Sequence, residues 1–264
     1  MVTAAITVEM LAAGYGDCLL ISCPVGRRVW RLLVDTGPDE CWPTLRERLA
    51  ALPVNAKGRR HIDLAVITHI DHDHIGAARS LFSDRDLNLS FGDVWFNARR
   101  HLGARGVGEG QTLADLLGQP ATDLPWNKAF QGDAVATSGE GAFRELPAPR
   151  GAPRITLLSP APTQLRRLAK TWDAELARLR RGQSDLVPRE PRGAEPAFPD
   201  LEALAASTTP SDKAPANGSS IAFLLEHRGA SVLLGADAWP TVLAPALQAL
   251  ARQRGRGTTL SVDA

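Results

Sequence analysis

Short apolar runs punctuated by glycine and proline open the chain, at residues 4–11, 18–23 and 29–34. Gly14 and Gly16 separate the first two, and Pro24-Val25-Gly26 separates the second from the third. That pattern predicts an antiparallel meander. Residues 44–52 read as a short amphipathic helix and 55–60 as a basic loop. The β-branched run 62–67 reads as a buried strand. Further on, 75–82 predicts a helix and 93–96 a strand ending at Asn97, with 111–117 helical. Trp126-Asn127 and Phe130 fit core and turn positions, and 134–137, 143–146 and 154–158 read as short strands. The clearest helix is 163–181, where Leu165, Leu168, Trp172, Leu176 and Leu179 recur at helical spacing. Opposite them stand Arg166, Arg167, Lys170, Arg178, Arg180 and Arg181, a solvated face or one suited to a phosphate backbone. Segments 221–226 and 231–234 predict a hairpin turning at His227-Arg228-Gly229-Ala230. Residues 240–254 predict a helix with Val242, Leu243, Leu247 and Leu250 inward, and 258–262 begins a strand.

Residues 182–217 differ in texture. Six of the 19 prolines fall there among Ser, Thr, Asp and Glu, too few apolar groups to offset the entropy of ordering. A mobile or surface-hugging insertion is expected, inside one domain spanning 1–264. A net charge of +1 excludes a global electrostatic pull toward nucleic acid or membrane. Only Lys57, Lys128, Lys170 and Lys213 are lysines among 30 basic residues, so arginine clusters partly reflect compositional bias. Cys18, Cys23 and Cys41 form neither an even set nor a Cys-x-x-Cys pair, which argues against a disulfide framework and for a reducing compartment. With no leader-like N-terminus and no membrane-length apolar run, the expectation is a cytoplasmic protein.

Chemistry concentrates at Thr68-His69-Ile70-Asp71-His72-Asp73-His74-Ile75-Gly76, which holds half of the six histidines and follows the strand at 62–67. Crowded imidazoles and carboxylates at a strand end are costly to desolvate unless something neutralises them. Neutral His and ionised Asp are the ligands that Zn²⁺ and Mn²⁺ accept, so the stretch reads as a metal site.

His69-x-Asp71-x-Asp73-His74-x-Gly76 resembles the His-x-[His/Asp]-x-Asp-His motif of the metallo-β-lactamase fold superfamily. The form with Asp at the second position, preceded by Thr, is similar to the hydrolase domain of the competence channel ComEC and its soluble relatives. Gly14-Tyr15-Gly16-Asp17, Leu33-Val34-Asp35-Thr36-Gly37 and Asn217-Gly218-Ser219-Ser220 through Gly235-Ala236-Asp237 resemble further segments of that branch. The resemblance implies an α/β fold, an αββα four-layer sandwich. It also implies two divalent ions, Zn²⁺ or Mn²⁺, with His69 and Asp71 on one and Asp73 and His74 on the other. By the same resemblance Asp237 bridges them; its rival role is a helix N-cap, although Pro240 as first helical residue puts that cap at Trp239. Asp35 and Asp17 are either supporting groups or turn formers. Asn217 and Ser220 would support, and His101 is a loop histidine within reach of a ligand or proton-donor role. Related chains continue into a His-His-Gly-Ser segment not present here. The fold is therefore expected to be C-terminally incomplete, with a truncated chain, a partner chain that completes it, or a thinner ligand shell all open.

These features predict a metal-dependent hydrolase in which Asp73 is catalytic and no Ser or Cys nucleophile is needed. By the resemblance, and weakly by the arginine-rich helix face, a phosphodiesterase or nuclease is the first expectation, with a phosphodiester substrate and nucleic acid among its candidate partners, but no membrane. Hydrolysis of a thioester, lactone or other acyl bond is the second, and an inactive or partner-completed metal-binding module the third.

Overall fold

The computed structural model describes residues 5–102, 113–114, 116–118, 124–182, 212–257 and 260–263. One sheet runs β1 (Thr7–Met10), β2 (Leu19–Val25), β3 (Arg28–Val34), β4 (Arg60–Val66) and β5 (Leu89–Trp95), in that spatial order. The β1–β2 and β2–β3 pairs are antiparallel; β3–β4 and β4–β5 are parallel. The other sheet is β6 (Arg144–Glu145), β7 (Arg154–Ser159), β8 (Ala222–His227) and β9 (Ala230–Leu234), antiparallel throughout. The helices are α1 (Trp42–Ala50), α2 (His72–Ile75), α3 (Ala78–Ser83), α4 (Pro162–Gly182), α5 (Pro215–Gly218) and α6 (Pro240–Gln253).

Side-chain alternation along each strand stacks these elements in four layers. Leu32, Val34, Leu64 and Val66 point from the first sheet toward Leu157, Phe223 and Leu225 of the second, forming the central core. Their neighbours Leu33, Ala65 and Ile67 point the other way, onto Leu45 and Leu49 of α1, Leu81 of α3 and Leu165, Leu168 and Trp172 of α4. On the far side, Leu158 and Leu224 meet Ala246 and Leu250 of α6. Each fully buried Leu or Phe contributes about 1.5–3 kcal/mol, so this helix–sheet–sheet–helix stack is a rigid base for the loops at its edge. The parallel pairing of β3 with β4 sets their carboxyl ends side by side, with Val34 opposite Val66. Asp35 N–H extends that ladder to the Val66 carbonyl at 2.8 Å. Loops at the carboxyl ends of neighbouring strands are where this class of sheet builds sites.

The boundaries depart from expectation in instructive places. β5 begins at Leu89 rather than Asp93, continuing through Gly92, which lies so close to the Asp63 backbone that a Cβ would sit 2.4 Å from its carbonyl oxygen. The helix expected over 75–82 is two pieces, the first starting inside the metal motif at His72. Residues 134–137 are not a strand: the Asn97 side chain takes the place of a strand neighbour, accepting Val135 N–H at 2.8 Å and donating to its carbonyl at 2.9 Å. Residues 260–263 form no strand either, although Asp263 bonds Ser231 through both backbone and side chain. The β8–β9 turn is as expected, with Arg228 and Gly229 both at positive φ. Most of the expected insertion at 182–217 lies outside the described residues, as do parts of 111–117 and the side chains of Leu176 and Leu179. Among the described residues, no helix is long and apolar enough to cross a membrane.

Candidate metal centre

The centre forms where β3, β4 and β9 end. His69 and His74 are both buried, with ring centroids 4.2 Å apart. Asp237 reaches them from beyond β9, and its two oxygens divide between the histidines. Oδ2 lies 3.9 Å from His69 Nε2 and Oδ1 lies 3.8 Å from His74 Nε2. One donor atom from each of the three residues fits within 4.8 Å of the others. Asp71 Oδ2 stands 3.9 Å from His69 Nε2, and Asp73 Oδ2 stands 3.7 Å from His74 Nε2. His69, His74 and Asp237 thus form one cluster, with Asp71 beside His69 and Asp73 beside His74.

Among the described residues nothing hydrogen-bonds His69 Nε2, although that atom is buried. An unsatisfied buried nitrogen costs about 1–3 kcal/mol, and a cation would satisfy it. The tautomers fit. Asp35 Oδ2 accepts the Thr68 hydroxyl at 2.7 Å and His74 Nδ1–H at 2.9 Å, while its Oδ1 accepts Thr68 N–H at 2.7 Å. With its only proton given to Asp35, Thr68 Oγ1 must accept from His69 Nδ1 at 3.0 Å. One carboxylate thus fixes both imidazoles with Nδ1 protonated and Nε2 turned to the centre.

Electrostatics agree with a site built for a cation. Burial, with the neighbouring His74 charge, pushes His69 well below its ordinary value, so it is neutral. Burial pulls His74 down too, but the Asp35 hydrogen bond and charge, aided by Asp73 and Asp237, outweigh it and carry His74 to about 9. Burial lifts the Asp237 carboxyl, and the charges of Asp73, Asp17 and Asp35 lift it further against the pull of His74. Burial likewise lifts Asp35, but both its oxygens are occupied as acceptors, so protonation would break a bond. A proton on His74 and a metal at Nε2 are alternative ways of relieving the same negative field.

A family model described as the Metallo-beta-lactamase superfamily matches residues 17–89, a span from Asp17 through Asp35 to the whole 69–76 motif. Over that span the chain is similar to the metallo-β-lactamase superfamily. It is also similar to ComE operon protein 3 of Bacillus subtilis (strain 168), 34% identical over 85 residues, which cover 28% of this chain and 11% of that protein. The chain thus matches about a tenth of that relative's length. The donor set of neutral imidazoles and carboxylates fits a divalent metal.

Of the supporting residues, Asp35 is a direct anchor of His74. It holds positive φ (56°), a backbone region Asp tolerates. The rest of its turn grips the motif as well: Thr36 N–H and hydroxyl both donate to the His74 carbonyl, and Gly37 O accepts Ala77 N–H. Asp17 joins through its backbone, donating to the Asp73 carbonyl at 3.1 Å. The adjoining Gly16 passes so close that a Cβ would lie 2.0 Å from that same oxygen. Asn217 Oδ1 and Ser220 Oγ are buried with no hydrogen-bond partner among the described residues, and Ile221 N–H holds the Thr68 carbonyl.

His101 does not join the cluster. Its Nδ1 accepts Ala98 N–H at 3.1 Å and its ring meets the Trp126 edge at 5.0 Å, so packing consumes it. His227, at the β8–β9 turn, bonds the Pro24 carbonyl through Nε2 at 2.8 Å. Sequence reasoning missed Thr68 as the relay to His69; its signal was a hydroxyl directly before the first histidine. It also missed Ala236, whose φ of 42° turns the chain to aim Asp237, and no composition or spacing signal marks that.

Proposed function

We propose that this chain is a metal-dependent phosphodiesterase, acting on nucleic acid or a smaller phosphodiester. His69, Asp71, Asp73, His74 and Asp237 would hold two divalent ions, Zn²⁺ or Mn²⁺, with Asp237 between them. Such ions supply Lewis acidity and bring the pKa of water toward 7. The chain's own residues do the rest. Asp35 and Thr68 keep both Nε2 lone pairs directed inward, and Asp73, about a third exposed beside His74, would take the proton of an attacking water at its carboxylate. Three carboxylates among five ligands make a hard donor set, which favours Mn²⁺ more than an all-imidazole site would.

The observation that carries the hydrolase reading is the division of Asp237 between His69 and His74. For a phosphodiester, support comes from the segment that follows Asp237. Arg167 lies 6.0 Å from the ring of Trp239, two residues past Asp237, and Arg166 and Lys170 are exposed on the same helix. Basic groups beside an aromatic ring suit a phosphate and a base. The resemblance to the ComEC-like branch points the same way.

A second reading, acyl hydrolysis, draws on a groove of about 350 Å³ that runs from Val8, Met10 and Leu19 to Asp35 and Thr68. Its apolar rim suits an acyl chain. The two are separated by assaying bis-p-nitrophenyl phosphate and single-stranded DNA against lactones and thioesters, with added Mn²⁺ or Zn²⁺. Phosphodiester cleavage abolished by Asp73→Ala supports the first. Activity on acyl substrates alone supports the second, and bound metal without turnover supports a metal-binding module.

A further inference from the structure

The opposite end of the molecule carries a second built feature. Where the β2–β3, β6–β7 and β8–β9 turns meet the segment after α6, they enclose a cleft of about 820 Å³. Topology separates it from the metal centre: the centre lies past the end of β9, the cleft at its start, and β9 alone spans about 13 Å.

Five guanidinium groups, of Arg150, Arg154, Arg228, Arg254 and Arg256, line this cleft against the carboxylates of Glu226 and Asp263. That is an excess of three positive charges in a chain whose net charge is +1. The carboxylates are already spent. Glu226 takes a two-pronged bond from Arg254 at 2.9 and 2.7 Å and stands 3.6 Å from Arg154. Asp263 accepts the Ser231 N–H and hydroxyl, both at 2.8 Å. Glu226 therefore fixes two guanidinium groups, while the side chains of Arg150, Arg228 and Arg256 are exposed and bond nothing among the described residues.

Backbone geometry adds an independent sign. Arg228 occupies the first central position of the β8–β9 turn at φ 50°, where Asn, Asp or Gly is favoured. An arginine held in a costly conformation at the mouth of a basic cleft is a placement the turn itself does not ask for. Low-dielectric walls around like charges concentrate the field on an anion. The volume suits a nucleotide-sized molecule rather than a polymer, and planar guanidinium forks match phosphoryl oxygens two at a time.

We propose that this cleft binds a small ligand carrying two or more linked phosphoryl groups, independently of the metal centre. The test is isothermal titration of the purified chain with inorganic pyrophosphate, orthophosphate and a twelve-residue oligothymidylate at low salt. The comparison proteins are His69→Ala and the triple variant Arg150→Gln, Arg228→Asn, Arg256→Gln. Asn suits the strained turn position, and none of the three arginines makes a bond the fold depends on, so a circular-dichroism melt should match the parent. Pyrophosphate is expected to bind once per chain and at least about tenfold more tightly than orthophosphate. The triple variant should weaken it at least about tenfold, the loss expected for removing charge-assisted bonds, and His69→Ala should leave it unchanged. Retention of pyrophosphate binding in the triple variant would overturn the proposal, as would its loss in His69→Ala. So would binding of the oligothymidylate with none of pyrophosphate.

Discussion

Asp35 Oδ2 lies 2.9 Å from His74 Nδ1, and through Thr68 the same carboxylate also sets His69. A residue that touches no metal thus governs both histidines that would. Asp35→Asn puts an amide donor or a weaker acceptor against three donors, and the metal affinity should fall roughly 10–100-fold. Competition with a chromophoric chelator measures this. An unchanged affinity would mean the imidazoles orient themselves.

Gly16→Ala should act at the same centre from the other side. A Cβ 2.0 Å from the Asp73 carbonyl and 2.8 Å from Pro38 forces the motif loop away, because both neighbours belong to constrained backbone or ring. Chemical denaturation should show a loss on the order of 1–3 kcal/mol, typical of overpacking, with lower metal content. A melt and metal content equal to the parent would show that the loop yields freely.

Ala236→Gly should stabilise. Ala236 sits at φ 42°, where an L-residue costs roughly 1–2 kcal/mol and glycine almost nothing. The gain in unfolded-chain entropy with glycine offsets part of that, so a rise of under about 1 kcal/mol is expected in denaturant titration. A fall would place the strain elsewhere.

Much of this was legible in the residues. The apolar runs at 18–23, 29–34, 62–67 and 221–226 announced β2, β3, β4 and β8, because strands covered on both faces keep apolar residues at nearly every position. The cluster was legible because imidazoles and carboxylates packed at a strand end have few other uses. Long-range polar substitutions were not. Asn97 stands in for a strand neighbour of Val135, and Asp93 gathers N–H groups from Lys128 and Ala129 across 35 and 36 residues. Neither leaves a local pattern. The α2 helix was hidden because its residues, His72–Ile75, are chosen for chemistry and carry no apolar period. His101 misled because sequence shows that a histidine is near in the chain but not that Trp126 waits beside it.

His101 yields a pH prediction. Burial, with the Arg100 charge, lowers it to about 4 against an ordinary 6.5. The folded state therefore prefers neutral His101, and its contribution is complete above pH 6.5 and is lost as pH falls through about 4. Replacing it by Gln should flatten the stability curve between those two values, followed by denaturation at a series of pH values. An equally steep loss in the variant would assign it to other groups.

The central claim is that His69, His74 and Asp237 hold divalent metal. Elemental analysis of the purified chain, with and without prior dialysis against Mn²⁺ or Zn²⁺, tests it most directly. The account predicts bound divalent metal in the parent, little in His69→Ala and His74→Ala, and a reduced amount in Asp237→Ala. A chain that stays metal-free after dialysis, or the same metal per chain in all three variants, would contradict it.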